Sequence, residues 1–530
     1  MTQILVIGSG PAAAGVTLAA LAAGDAQVTI VDMGEQLEPD KRTLLAEFGG
    51  HSPSSWPLDV SAQLTQQPQA EVAGELPQKR LFGSNYPFRD RGQLAGLTAA
   101  EGGNKYTVSP AFGGFSNVWG AQVMPFSERT FDMWPVNYAD LIPHYQRILS
   151  EIPFAGADDD YSRLFPLLEP ADPLPRLSPP ASAALSRYAR RRDKVRARGV
   201  TVGEARLALQ APACIECGLC LTGCPHGLIY SSAHTLGPLI EKGLVQYRPG
   251  HLVEQVGEDE QGPWALARAV AGGEPVTLRA DRLFIACGGI GSTRLLAGSA
   301  RPDIRRIEME ESVQMVLPFL SARSKPDPRT ESTFTLNQFN ILVEYGRPGL
   351  DLAQFHMYPY NSAFEDALPG PIRNVESLKR GVLRRTVAAL GYLPSWHSPK
   401  VGLALGVAPA GGLPPITLSS VPNPAMRPTL ARVFRRLLAT APALDLWPGL
   451  PVLSISGPAK SYHFGGSFPH VQGKPRPGGL ETDTLGRIAE WDRVHLVDGA
   501  VFPSVPATTF TLTVMANAHR IATQALSPQI

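Results

Sequence analysis

The sequence predicts a mixed α/β fold, α+β overall: a Rossmann-like nucleotide-binding unit with a second layer built on an antiparallel sheet. Three observations carry this. Residues 3–32 read as strand, glycine turn, helix and strand. Buried strands run into glycine turns again at 281–292 and 494–503, and an apolar helix from Thr511 closes the chain. Between 305 and 365 lie alternating strand-like runs, at 313–320, 333–345 and 352–360.

The first unit is the most specific. Residues 3–7 (Gln-Ile-Leu-Val-Ile) form a buried parallel strand, and Gly8-Ser9-Gly10-Pro11-Ala12-Ala13 follows as G-x-G-x-x-A. Gly8 makes the turn, Gly10 lets a pyrophosphate approach the helix N-terminus, and Ala13 allows the helix to pack on the strand. A helix over 12–23 and a strand over 27–31 end at Asp32, 22 residues after Gly10, where an acid accepts hydrogen bonds from a ribose. The stretch predicts a dinucleotide site; its place near the start of the sequence favours FAD over NAD.

The totals bound the rest. At roughly 100–200 residues per domain, 530 residues allow about three domains. Hydrophobic residues at 44% and charged ones at 18% describe an ordinary globular chain. A net charge of +1 argues against nucleic acid as a partner. Residues 4–24 carry no charge, but Gly-Ser-Gly-Pro within them would leave backbone unsatisfied in lipid, and no basic segment precedes them as in a signal peptide. A cytoplasmic location is expected.

Residues 35–95 are rich in Pro, Gln and Ser and read as a loop-dominated insertion, a lid. Ala111-Phe112-Gly113-Gly114-Phe115-Ser116-Asn117-Val118-Trp119-Gly120 is either a turn packed on the core or a backbone loop laid against a flat ring. A helix is expected over 138–152. Residues 187–198 hold seven basic residues and one acid, a solvated face or a docking patch for an acidic partner. Gln354, His356, Tyr358 and Tyr360 share one strand face, which lines a pocket or faces water. Helices are expected over 373–393 and 430–440; their arginines suit a surface helix, or peripheral contact with the inner face of a membrane or a lipid-linked substrate. Cys287, at the end of an apolar strand, reads as buried structure.

Four of the five cysteines, Cys214, Cys217, Cys220 and Cys224, fall within eleven residues as C-x2-C-x2-C-x3-C-P. That spacing holds iron–sulfur clusters in bacterial ferredoxins. A zinc site, and free thiols or disulfides, also fit the spacing. Five cysteines are too few for a disulfide scaffold in so long a chain and suit a reducing compartment. In two-cluster ferredoxins the fourth cysteine of such a run serves the other cluster, and this chain has no second run. The reading adopted is one cluster on all four cysteines, [4Fe–4S] rather than [3Fe–4S].

The C-terminal stretch adds Ser461-Tyr462-His463-Phe464-Gly465-Gly466, then Val497-Asp498-Gly499, then Thr508-Thr509-Phe510-Thr511. With the N-terminal fingerprint, the 113–116 loop and the 284–289 strand-turn, these blocks resemble the GMC (glucose–methanol–choline) flavoprotein oxidoreductases. The resemblance implies an FAD domain assembled from 1–34, 96–130, 205–300 and 460–530, carrying the cysteine loop, with 131–204 and 301–459 as the substrate domain. It implies that Gly8, Gly10 and Ala13 hold the FAD pyrophosphate, Asp32 the ribose and Val253 the adenine. Gly113, Gly114, Asn117 and Gly120 would lie along the flavin; Asp498 and Gly499 would meet the ribityl region, and Thr511 the pyrimidine end. His463 would be the catalytic base and Thr509 would orient the substrate hydroxyl. Two departures stand out: Thr509 occupies a position that usually holds His or Asn, and Trp119-Gly120 replaces Asn-Gly.

Together these imply an FAD-dependent dehydrogenase oxidising a hydroxyl group of a sugar, glycolipid or other alcohol. Electrons would leave through the cluster to a ferredoxin, a cytochrome or a quinone. The alternative is a reductase or isomerase fed by ferredoxin and acting on a carbonyl or enone. A third is an electron carrier with no substrate pocket.

Overall fold

The computed structural model describes residues 1–67, 78–89, 97–99, 107–323, 326–361, 365, 368, 370–409 and 412–527. Its organising element is a five-stranded sheet in the order Val494–Leu496, Arg282–Ile285, Thr2–Ile7, Ala26–Val31 and Val245–Arg248, all parallel. Strands far apart in sequence thus meet in one sheet. Thr2–Ile7 lies at its centre, which is why Ile4, Leu5, Val6 and Ile7 are apolar without alternation. The helices Pro11–Ala22, Gly289–Ala300 and Thr511–Leu526 belong to the same unit and bury most of their apolar residues. A three-stranded antiparallel sheet, His251–Asp259, Gly262–Ala269 and Val276–Arg279, follows the edge strand.

The second layer is antiparallel, as expected, apart from the short strand Leu97–Ala99, which pairs in parallel with Ile416–Val421. One sheet runs Gln314–Leu320, Thr386–Tyr392, Leu352–Tyr358, Phe339–Glu344 and Val200–Glu204 in spatial order, with short strands added at the first edge. Another joins Phe464–Gly465, Arg306–Glu311, Lys400–Leu405, Ile416–Val421 and Leu97–Ala99. Its Phe464–Gly465 strand ties the segment around His463 to Glu310 and Glu311.

Two expectations are corrected. The helix expected over 373–393 is a helix only over Glu376–Leu383; Thr386–Tyr392 is a central strand paired on both sides. Pairing overrides the helical pattern there. The paired strand needs glycine at 391: a Cβ on it would lie 2.6 Å from a ring carbon of Phe355. The insertion after residue 35 is not loop-dominated in its described part, which contains the helices Pro39–Phe48 and Leu58–Thr65. Trp56, Val60 and Leu64 form a small core there, packed against Phe82 and against Leu219 of the cysteine loop. The second arginine-bearing helix is longer than expected, Met426–Leu444. Among the described residues no helix is long and apolar enough to cross a membrane.

Candidate functional site

A cavity of about 290 Å³ opens along the carboxyl ends of the parallel strands, where open α/β sheets bind their ligands. Gly8 has φ +100°, and a Cβ there would lie 2.6 Å from the carbonyl oxygen of Ala286, so the turn requires glycine. The turn delivers Gly10 as the N-cap of Pro11–Ala22, and no side chain caps that helix. Its N-terminus therefore faces the cavity with backbone N–H groups unsatisfied, the arrangement that suits a pyrophosphate. Asp32 ends the second strand and is buried against the cavity. Ser9 Oγ donates to its carboxylate, and burial pushes its pKa up to about 7. Opposite lies Val253, beside a bulge that displaces the strand register between Val253 and Gln255.

The glycine-rich loop forms the next wall. Asn117 Nδ2 donates to the carbonyls of Phe112 at 2.9 Å and Gly114 at 2.8 Å, and the N–H of Gly113 donates to Ser9 Oγ at 2.9 Å. Gly114 and Gly120 of this loop line the cavity; Ala13, Gly113 and Asn117, also expected along the cofactor, are not among its lining residues. The loop passes close to the first turn: a Cβ on Gly114 would lie 3.4 Å from Gly10 Cα. Trp119, the departure from the GMC pattern, donates its Nε1–H to the carbonyl of Tyr230 at 2.7 Å and so anchors the loop to the segment after the cysteines.

Asp498, Gly499, Thr509 and Thr511 complete the cavity from the C-terminal side. Ser292 Oγ donates to Asp498, whose carboxyl burial pushes up to about 6. Thr511–Leu526 also starts at the cavity without a side-chain cap. His463 lines the far end. Its Nδ1 is buried with no hydrogen-bond partner, as is Thr509 Oγ1. Burial lowers the His463 pKa to about 4, so the imidazole is neutral at pH 7. The ring stacks on Tyr392 and meets Phe510 edge-on. Its backbone is clamped: Ser461 Oγ accepts from the His463 N–H at 3.0 Å and donates to Glu311 at 2.8 Å, and the Ser312 N–H donates to its carbonyl at 2.9 Å. The preceding Tyr462 has φ +55°, a left-handed conformation rarely kept by a bulky residue outside a functional site.

Buried polar atoms without partners are costly in a finished core, and those of Thr107, Gln122, His463 and Thr509 belong to residues that line this cavity, which has an acid at one end and an open helix N-terminus. The donor set fits an FAD. Sequence reasoning missed Ser9, Gln122, Tyr392 and Tyr462, which line the same cavity. Ser9 was legible from its place inside the fingerprint; the other three carry no local signal. Cys287 also lines it, with its Sγ 3.6 Å from the carbonyl of Ile7. The strand face read as ambiguous is buried: Gln354, His356 and Tyr358 are all under a tenth exposed, and His356 and Tyr358 line the cavity.

The cysteine loop lies outside this cavity. Among the described residues no three His, Cys, Asp or Glu side chains are gathered closely enough to hold a metal ion as they stand. The loop nevertheless turns backbone N–H groups toward its sulfurs: Glu216 toward Cys214, Leu219 toward Cys217, and His226 and Leu228 toward Cys224. The Thr335 N–H donates to Cys220 Sγ at 3.3 Å. Burial raises the pKa of Cys214, Cys217 and Cys224, and neighbouring thiols of the loop raise them further. Glu216, at φ +57°, sets the first turn. Cys287 contacts Ile7 and Asp498 surroundings instead and is not part of this group.

No family model matches the chain, and no curated protein matches its sequence. Among solved structures its fold is similar to that of pyridoxine 4-oxidase from Mesorbium loti, with a TM-score of 0.60, 14% identity and 99% of each chain covered. At that identity the likeness is one of fold, and it spans both the parallel sheet and the antiparallel layer.

Proposed function

We propose that the chain is an FAD-dependent oxidoreductase acting on a hydroxyl group. The observation that carries this is one cavity joining a dinucleotide cradle (Gly8, Gly10, Asp32) to two unpartnered side chains, His463 and Thr509. The fold of a pyridoxine 4-oxidase and the GMC-like blocks support the same reading.

When bound, FAD supplies the acceptor for a hydride. The protein supplies the rest. Neutral His463 takes the hydroxyl proton on an imidazole nitrogen as a general base. Thr509 Oγ1 accepts or donates one hydrogen bond and orients the hydroxyl; it cannot act as a base near neutrality. Tyr392 and Phe510 hold the imidazole in place and keep water from it. The Ser461–Glu311 clamp fixes its backbone.

The cysteine loop is read as the site of an iron–sulfur cluster, held by Cys214, Cys217, Cys220 and Cys224. Such a cluster supplies a one-electron exit, which favours a dehydrogenase over an oxidase and implies an external acceptor such as a ferredoxin, cytochrome or quinone. The N–H groups facing the sulfurs support this reading, since thiolates that carry metal charge are stabilised by such donors.

The test is anaerobic mixing of the purified protein with a panel of alcohols and sugars, followed through flavin absorbance. Bleaching supports oxidation of a hydroxyl. A flavin that no alcohol bleaches, but that a ketone or enone reoxidises after reduction by ferredoxin, would put the reaction in the opposite direction.

A further inference from the structure

The end of the cavity around His463 holds more polar chemistry than the oxidation of one hydroxyl uses. Gln122 and His356 both line it, each only 3% exposed, and Gln122 Nε2 lies 3.1 Å from His356 Nε2. An amide N–H can only donate, so His356 Nε2 accepts and its proton sits on Nδ1. The contact uses one end of the amide. The other, Gln122 Oε1, is buried with no partner. The pair thus offers an acceptor and an N–H donor, the complement of a single hydroxyl, which both donates and accepts.

Their placement is deliberate in the backbone. Gln122 follows Ala121, which has φ +56° and is fully buried. That conformation is strained for a residue other than glycine, and such strain gathers at ligand sites. His356 projects from the centre of the antiparallel sheet, paired with Asn340 on one side and Leu390 on the other. Between His356 and the reacting centre stands one ring, Tyr392, whose centroid is 4.9 Å from His356 and 4.8 Å from His463. The two polar positions are therefore one aromatic ring apart along the same wall.

The charge distribution narrows the ligand. Among the described residues, the charged side chains lining the cavity, apart from histidines, are Asp32, Arg294 and Asp498. All three belong to the parallel-sheet unit, at the strand ends and on the Gly289–Ala300 helix. None comes from the antiparallel sheet that carries His356 and Tyr392. Burial also keeps His356 uncharged, lowering its pKa to about 3. Among the described residues, a carboxylate or phosphate would find no counter-charge from the sheet that carries His356.

We propose that Gln122 and His356 form a second hydroxyl-binding subsite, so that the substrate is a neutral polyhydroxylated molecule, a diol or a sugar, rather than a simple alcohol. This rests on the reading of the cavity as the site of hydroxyl oxidation. One hydroxyl sits at His463 and Thr509; another, across the width of Tyr392, bonds to Gln122 Oε1 and His356 Nδ1–H.

The test compares cyclohexanol with the 1,2-, 1,3- and 1,4-cyclohexanediols and D-glucose, in the flavin-loaded wild type and in Q122M, which keeps the side chain's length and removes its hydrogen bonds. Two readouts are taken: kcat/KM, and binding by calorimetry to enzyme whose flavin has first been reduced with dithionite, so that no turnover occurs. A site built around a hydroxyl leaves its polar groups unpaired when the hydroxyl is missing. The wild type is therefore expected to favour at least one diol or glucose over cyclohexanol about 10- to 100-fold in both readouts, and Q122M to narrow that ratio toward one. Flavin content and melting temperature confirm that Q122M is folded; should it lose either, H356F is read instead. A wild type that binds and oxidises cyclohexanol as well as every diol overturns the subsite while leaving hydroxyl oxidation intact. So does a preference that survives in the folded variant. A wild type whose flavin no alcohol, diol or sugar reduces overturns both.

Discussion

The imidazole of His463 lies against the ring of Tyr392, with centroids 4.8 Å apart and planes 27° apart. His463 comes from the C-terminal part of the chain and Tyr392 from a strand at the centre of the antiparallel sheet. His463 directly precedes the Phe464–Gly465 strand, so the stack joins the two sheets of the second layer at the point where the cavity ends. It fixes the base relative to a wall that the nucleotide-binding unit does not itself supply, and it confines the imidazole to a dry surface.

That dryness sets the pH response. Burial lowers His463 from its ordinary value of 6.5 to about 4. A base must be neutral to accept a proton, so the reductive half-reaction should stay level from pH 7 down to about pH 5 and fall near pH 4. The stability effect has the same sign. An unfolded histidine takes up its proton near pH 6.5 and the folded one near 4, so this group's contribution is lost as pH falls between those values. The check is the pH profile of kcat for a reducing substrate in the wild type. An acid limb at pH 6.5 would place His463 in water.

Thr509 Oγ1 has no partner within the protein. Replacing it by valine keeps the shape and removes one hydrogen bond to substrate. The expected loss is about tenfold in kcat/KM, close to the ~1.4 kcal/mol of one well-placed bond. Flavin content should not change. Measured flavin loss in T509V would instead make Thr509 a cofactor contact.

Gly8→Ala should cost the protein its cofactor. The new Cβ would lie 2.6 Å from the Ala286 carbonyl oxygen at φ +100°. Strain and overpacking of this kind together cost about 2–5 kcal/mol. Thermal melts should show a clear drop, and the purified variant should carry less flavin than the wild type.

The two cysteine environments make opposite predictions. Protein prepared without oxygen should contain iron and sulfide. Cys224→Ser should lower the iron content, and Cys287→Ser should leave it unchanged, because Cys287 sits at the nucleotide cavity and not with the loop. Iron and sulfide absent from the anaerobic wild type would remove the cluster from the account.

What could be read in the sequence was local. The G-x-G-x-x-A turn, Asp32 at its distance and the apolar strands announce the parallel unit because each depends on neighbours within one βαβ segment. His463 and Thr509 were reachable through motif order. Gln122, Tyr392 and His356 are not grouped by the sequence, because Tyr392 and His356 come together through strand pairing and Gln122 reaches His356 from outside that sheet. The same physics explains the error over 373–393. Its spacing suits a helix, but Thr386–Tyr392 is worth more as the strand between two others. The pattern of a short apolar segment does not reveal which partners it will find.

The most direct test of the account is a single-turnover comparison of wild type and H463A under anaerobic conditions. Each is mixed with the alcohol, diol or sugar that bleaches the wild-type flavin fastest. The expected result is rapid bleaching in the wild type and a rate about 10²- to 10⁴-fold lower in H463A, as for loss of a general base, with flavin content and fold retained. Equal bleaching rates in the two proteins, or a wild-type flavin that no hydroxyl compound bleaches, would contradict it.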